Sequence, residues 1–152
     1  MRLTRHRYQC GQCRRYYDLP GADLSFLYGW FLGISRNLET VAFETVSYPG
    51  IDEISEILDI VSGELDASYP DDRMAAVLSR VCDPDSHGDR YIFSGTPGCP
   101  TCGSTRVRKC IDTGEWWPQP AGTPTHQTWE SLDRLAKILQ IRDALGLRKP
   151  IE

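Results

Sequence analysis

The chain lacks any apolar run of the ~18 residues needed to cross a bilayer; its most apolar stretch, residues 24–34, is interrupted by Gly29 and Gly33. Its basic start, Met1-Arg-Leu-Thr-Arg-His-Arg7, has no apolar segment behind it of the kind a secretory signal carries. No membrane contact is expected, and the cytosol is the expected compartment. Gly-x-x-x-x-Gly-Lys-Ser/Thr, Gly-x-Gly-x-x-Gly and Gly-x-Ser-x-Gly are all missing. Their absence argues against a phosphate-cradling loop, a dinucleotide fold and a nucleophile elbow. Histidine is scarce: His6 and His126 lie in polar flanks and His87 in an Asp/Ser/Gly loop, so solvated imidazoles are expected. An excess of positive charge is lacking as well. The net charge of −4 excludes a strongly basic nucleic-acid binder as the simple reading.

The charge that is present is segregated. Residues 51–90 hold eleven acids against three arginines. The chain start carries Arg2, Arg5, Arg7, Arg14 and Arg15, and a second basic cluster follows at Arg106, Arg108 and Lys109.

Local pattern predicts an α+β fold within one domain, as suits 152 residues with 40% hydrophobic content. Residues 3–9 read as a strand, Arg14–Leu19 as its return, and Pro20-Gly21 as the turn that ends it. Residues 25–34 suit a buried strand or a short helix, and Thr40–Tyr48 a strand closed by Pro49-Gly50. Ile51, Ile54, Ile57, Leu58 and Val61 recur at helical spacing, with Gly63 placed to stop that helix. Asp71 or Asp72 can cap a second helix with Met74, Val77, Leu78 and Val81 inside, ended by Asp83-Pro84. A short strand at 90–94 and a partner at 106–111 are expected to flank the second cysteine pair. Three prolines in residues 115–124 suggest a strap over 113–127. A helix over 128–146 follows, with Trp129, Leu132, Leu135, Ala136, Leu139 and Arg142 on one side and Gly146 as its cap.

Six cysteines stand against this background, four of them in Cys10-Gly-Gln-Cys13 and Cys99-Pro-Thr-Cys102. In a reducing compartment, close pairs of this kind hold metal more often than they form disulfides. A separate redox site at each pair would need a thiol at a helix start in a βαβ setting, which neither flank suggests. Two turns facing one another complete a tetrahedral shell of four thiolates around one Zn²⁺. Cys82 and Cys110 read as small core residues.

The pairs, each between strand-like segments, resemble the zinc-ribbon family over residues 3–19 and 91–111. That resemblance implies a structural zinc and zinc-ribbon-like hairpins, formed discontinuously by residues 1–19 and 91–112. A compact ribbon has roughly 15–20 residues between its knuckles, whereas here residues 14–98 intervene. An inserted acidic α/β subdomain over 20–90 accounts for the difference, with the metal as a clasp at its base.

Catalysis finds little support, and the chain is expected not to be an enzyme. Four thiolates leave a metal no open position. His87-Gly-Asp89 with Pro97-Gly-Cys99-Pro-Thr-Cys102 comes nearest to a zinc-deaminase signature. It has aspartate for glutamate and an extra glycine before the cysteine, and it leaves Cys10 and Cys13 unexplained. Residues 83–89 lack EF-hand spacing.

Two binding roles remain. The leading expectation is a protein-binding module, of the toxin-neutralising immunity type or an adaptor. It would meet a basic partner through Asp52, Glu53, Glu56, Asp59, Asp71 and Asp72. The alternative is a nucleic-acid binder using Arg5, Arg7, Arg14, Arg15, Arg106 and Arg108, with Tyr8, Tyr16 and Tyr17 to stack on bases.

Overall fold

The computed structural model of the chain describes residues 1–24, 28–63 and 70–147, with residues 70–72 as backbone alone. Among these, no helix is long and apolar enough to cross a membrane. Two small antiparallel sheets and a set of helices give an α+β fold.

The first sheet begins with β1 (Thr4–Cys10) and β2 (Tyr16–Gly21), joined by the first cysteine turn. Their register runs from Gln9 opposite Tyr16 to Thr4 opposite Gly21. Pro20 and Gly21 are thus the last two residues of the strand, paired with Arg5 and Thr4, and not a turn that follows it. Proline is tolerated there because β2 is an outer strand of the order β2-β1-β5. The other flank of β1 is β5 (Val107–Trp116). The expected pairing of 106–111 with 90–94 does not occur: β5 pairs with β1, and Ile92 bridges instead to Ile34. β5 also runs past residue 112, so the strap starts later than expected. From there Trp117 N–H donates to the Leu3 carbonyl (2.8 Å) and Ala121 N–H to that of Met1 (2.9 Å). Gly122 then exchanges bonds with Thr40 and Ala42, tying the chain start to the second sheet.

That second sheet is the hairpin β3 (Trp30–Ile34) and β4 (Thr40–Glu44). The strand reading holds for residues 30–34, while residues 25–27 lie outside the described residues. Against the hairpin pack α1 (Ile51–Ser62) and α2 (Pro70–Val81). α2 starts at Pro70, whose fixed φ suits a first helical position, so Asp71 and Asp72 lie inside the first turn and do not precede it. Alternating β4 residues Val41 and Phe43, the α1 face Ile54, Ile57 and Val61, and α2 residues Val77, Leu78 and Val81 make the larger core. Tyr91, Phe93, Trp129 and Ile141 complete it.

The C-terminal helix is broken in two, α3 (Gln127–Glu130) and α4 (Arg134–Ala144). Asp133 causes the break: its carboxylate accepts from the Ala136 amide at 2.8 Å and caps a new helix. The interruption shifts the helical phase. Leu135 and Leu139 turn outward, 60% and 49% exposed, while Lys137, Ile141 and Arg142 are buried. Gly146 (φ 75°) follows α4 in the left-handed region, where it ends the helix as expected.

A smaller core of Cys10, Tyr17, Leu19 and Cys99, with Tyr8, Cys13 and Leu38 against it, sits beneath the first sheet. Leu38 belongs to the β3–β4 turn and has a left-handed backbone (φ 64°). Cys82 is buried as expected. Cys110 is exposed, because β5 is an outer strand open on both faces.

Candidate metal centre

Each knuckle is built by the same main-chain bonds. In the first, Cys10 N–H donates to the Arg15 carbonyl (2.9 Å) and Arg14 N–H to that of Cys10 (3.2 Å). In the second, Cys99 N–H donates to Ser104 (2.9 Å) and Gly103 N–H to Cys99 (2.7 Å). The residue after each pair must be left-handed to close the turn. Gly103 (φ 74°) does so at no steric cost, whereas Arg14 (φ 65°) does so against its Cβ. Two close approaches fix the surroundings. A Cβ at Gly98 would stand 2.4 Å from the Gly103 carbonyl oxygen, and one at Gly11 3.1 Å from the Arg106 Cβ.

The four sulfurs lie within 4.8 Å of one another. Cys10 Sγ is 3.6 Å from Cys102 Sγ, and Cys13 Sγ is 3.7 Å from Cys99 Sγ. A tetrahedral thiolate shell with metal–sulfur bonds of about 2.3 Å has sulfur–sulfur edges of about 3.8 Å. The group therefore fits one metal ion. The Gln12 and Cys13 amides point at Cys10 Sγ (3.4 and 3.5 Å). The Cys13 amide above all pulls the Cys10 thiol down to about 6. For Cys13 the Arg15 amide lowers the value, but burial and the neighbouring sulfurs outweigh it and push the thiol up to about 11. Four thiolates this close repel one another unless a cation lies between them, which is how a metal would ionise all four. Burial is uneven: Cys10 and Cys99 are enclosed, Cys13 is half-buried and Cys102 is exposed.

The structure separates the cations expected on the sheet. Arg7 forms a bidentate pair with Asp18 (2.8 and 3.0 Å), and Arg5 lies 3.4 Å from Glu115 and 3.8 Å from Asp18. Arg14, Arg15, Arg106, Arg108 and Lys109 have no carboxylate within ion-pair distance among the described residues. All five border the metal turns. The tyrosines divide too: Tyr8 and Tyr17 stack on each other (5.6 Å) with Tyr17 buried, and Tyr16 stays 58% exposed.

The expected acidic face is likewise partly engaged. Glu53 bonds Lys137 (2.8 Å) and Glu56 bonds Arg134 (2.9 Å), bracing α1 against α4. Asp52 and Asp59 are exposed. The side chains of Asp71 and Asp72 lie outside the described residues.

A second group, Glu39, Asp85 and His87, comes together through the fold and was not legible in the sequence, because Glu39 is remote from the other two. Asp85 accepts from Asn37 Nδ2 (2.9 Å) and from the amides of His87 (2.9 Å) and Asp89 (2.8 Å). Its oxygens thus organise the loop. His126 also differs from expectation: it is packed between Phe43 and Tyr48, with ring centroids at 5.2 and 4.5 Å. Compared with known proteins, the chain matches no family model, no curated protein and no solved structure.

Proposed function

We infer that this chain is a non-catalytic binding module in which Cys10, Cys13, Cys99 and Cys102 hold one structural zinc. The metal end of its three-stranded sheet is then a nucleic-acid-binding surface. Zinc is the usual occupant of a closed four-thiolate shell, and the likeness of both knuckles to zinc ribbons supports the same choice. A closed shell leaves no position for substrate or water.

The observation that carries the nucleic-acid reading is the division of the cations. Arg5 and Arg7 are neutralised within the sheet, while Arg14, Arg15, Arg106, Arg108 and Lys109 meet no carboxylate among the described residues. Arg106 lies against the first knuckle, its carbonyl accepting from the Gly11 amide at 2.8 Å, so Arg14, Arg15 and Arg106 gather round the metal turns, while Arg108 and Lys109 carry positive charge along β5 on its two faces. Salt screens the acids elsewhere beyond about 8 Å at physiological ionic strength. Tyr16 stands in register with Gln9 and Lys109 and offers a free ring for base stacking.

Fluorescence anisotropy with short single-stranded and duplex oligonucleotides tests this reading. Affinity should fall steeply with salt, and Arg15→Ala or Arg106→Ala should each reduce the log–log slope by about 0.7–0.9. Arg14→Gly should do the same while relieving the left-handed strain. Absence of binding to any DNA or RNA at low salt ends the reading.

A basic protein partner met through α1 is the second reading, favoured by exposed Asp52 and Asp59 in the acidic segment. It is weakened by the internal pairing of Glu53 and Glu56. Stoichiometric capture of a basic protein, lost in Asp52→Lys with Asp59→Lys, would favour it over nucleic acid.

A further inference from the structure

A cleft of about 740 Å³ opens beside the second knuckle, within the ~300–1,000 Å³ range of small-molecule sites. Its walls are mostly apolar: Leu19, Leu38, Ile92, Pro97 and Pro100. Leu19 and Pro97 are buried, and Leu38 is held in place by its turn, with its amide bonded to the Ser35 carbonyl at 3.0 Å. Arg36 lies at the rim, exposed and with no carboxylate partner among the described residues. Thr101 adds a hydroxyl from the knuckle. A flat apolar body bearing one anionic group suits such a space.

The cleft adjoins a shallower hollow lined by Arg7, Tyr16, Tyr17 and Asp18, and Asp18 borders both. The charge of Asp18 is met by Arg7 and Arg5, so the ridge between the hollows does not present a bare carboxylate. An exposed tyrosine ring thus stands on one side of Asp18 and an apolar slot with the exposed Arg36 guanidinium on the other.

We propose that this cleft takes one unpaired nucleotide, its base between Leu38, Ile92 and Pro100 and its phosphate on Arg36. The adjacent base of the same strand stacks on Tyr16. The assignment rests on the nucleic-acid reading above and narrows it to single-stranded substrate, because a base held in a helix cannot enter the slot. It also gives the inserted segment a task, since Arg36 and Leu38 come from it and Ile92 is bridged to its Ile34.

The test is a ¹⁵N-heteronuclear NMR titration of the zinc-loaded chain with nucleoside monophosphates, alongside single-strand and duplex binding. Shifts should be confined to residues 36–38, 92 and 97–103, and the unphosphorylated nucleosides should move the same residues more weakly. Arg36→Glu should abolish the mononucleotide shifts and weaken single-strand binding about tenfold or more, while duplex binding stays unchanged. Thr101→Trp, placed to fill the slot, should do the same at unaltered zinc content. Mononucleotide shifts elsewhere, or shifts and single-strand affinity indifferent to both substitutions, overturn the cleft assignment while leaving the basic end intact. Conversely, cleft shifts that respond to Arg36→Glu in a chain whose oligonucleotide binding ignores Arg15 and Arg106 would sink the basic end alone.

Discussion

The sulfurs of Cys13 and Cys99 lie 3.7 Å apart although 86 positions separate them in sequence. One ion held there would close a loop that contains β3, β4, α1 and α2. Elemental analysis should give one zinc per chain. Cys99→Ser should abolish it and cost about 4 kcal/mol or more, the scale of closing a loop of this length. Thermal unfolding with and without a chelator measures this. A Cys99→Ser chain melting at the native temperature without metal would end the clasp.

Gly98 is the tightest backbone approach at the centre, because any Cβ there meets the Gly103 carbonyl oxygen at 2.4 Å. The neighbour is main chain and belongs to the knuckle itself. Gly98→Ala should therefore lower stability by about 1–3 kcal/mol and weaken zinc retention in competition with a chromogenic chelator. Gly95→Ala, at a left-handed position with open space around it, should leave zinc retention unchanged.

Asp83 caps a helix that begins far away in sequence. Its carboxylate accepts from the Gln127 and Thr128 amides (2.8 and 2.9 Å) and from the Thr125 hydroxyl (2.7 Å). Partial burial alone would raise its pKa, but these donors outweigh it and pull the group down to about 2. A depressed folded value means the contribution is complete above the unfolded pKa of about 3.9 and is lost as pH falls through about 2. Asp83→Asn should cost about 1–2 kcal/mol at neutral pH. Denaturant midpoints measured from pH 6 down to 2 should converge for the two proteins at the acid end.

Lys137 is buried on α4 between Glu53 (2.8 Å) and the face of Trp129 (5.5 Å). Breaking a fully buried ion pair costs about 3–5 kcal/mol. Glu53 is 35% exposed, so Lys137→Ala should cost less, about 1–3 kcal/mol. The Arg134–Glu56 pair is exposed at 52% and 60%, so water and salt screen it and Arg134→Ala should cost clearly less than Lys137→Ala. Urea unfolding of both variants checks the ranking.

Much of this arrangement was legible locally. The four cysteines, the first hairpin and α1 follow from spacing and periodicity, which act over a few residues. Strand partners do not: nothing near Ile92 says that it meets Ile34, or that β5 lies beside β1. The break at Asp133 had a local signal, a capping residue ahead of a helical run, but the apolar spacing across it read as continuous. Burial of Lys137 was hidden because it depends on partners in other elements, Glu53 and Trp129, whereas Arg142, placed on the inner side by its spacing, is buried as expected. The separation of bound from free cations required the positions of Asp18 and Glu115.

The distance along the chain between the two knuckles also sets an order of events in time. Cys10 and Cys13 leave the ribosome first, and Cys102 follows only after the intervening chain has been made, several seconds later at about 5–20 residues per second. Until then the first knuckle is half a site. The hairpin and helices between the knuckles draw their larger core from residues 41–141, so their assembly also waits for Trp129 and Ile141. The fourth thiol is thus available before the last helix has been made, and a chain left without metal would keep the half-buried Cys13 and the exposed Cys102 open to oxidation.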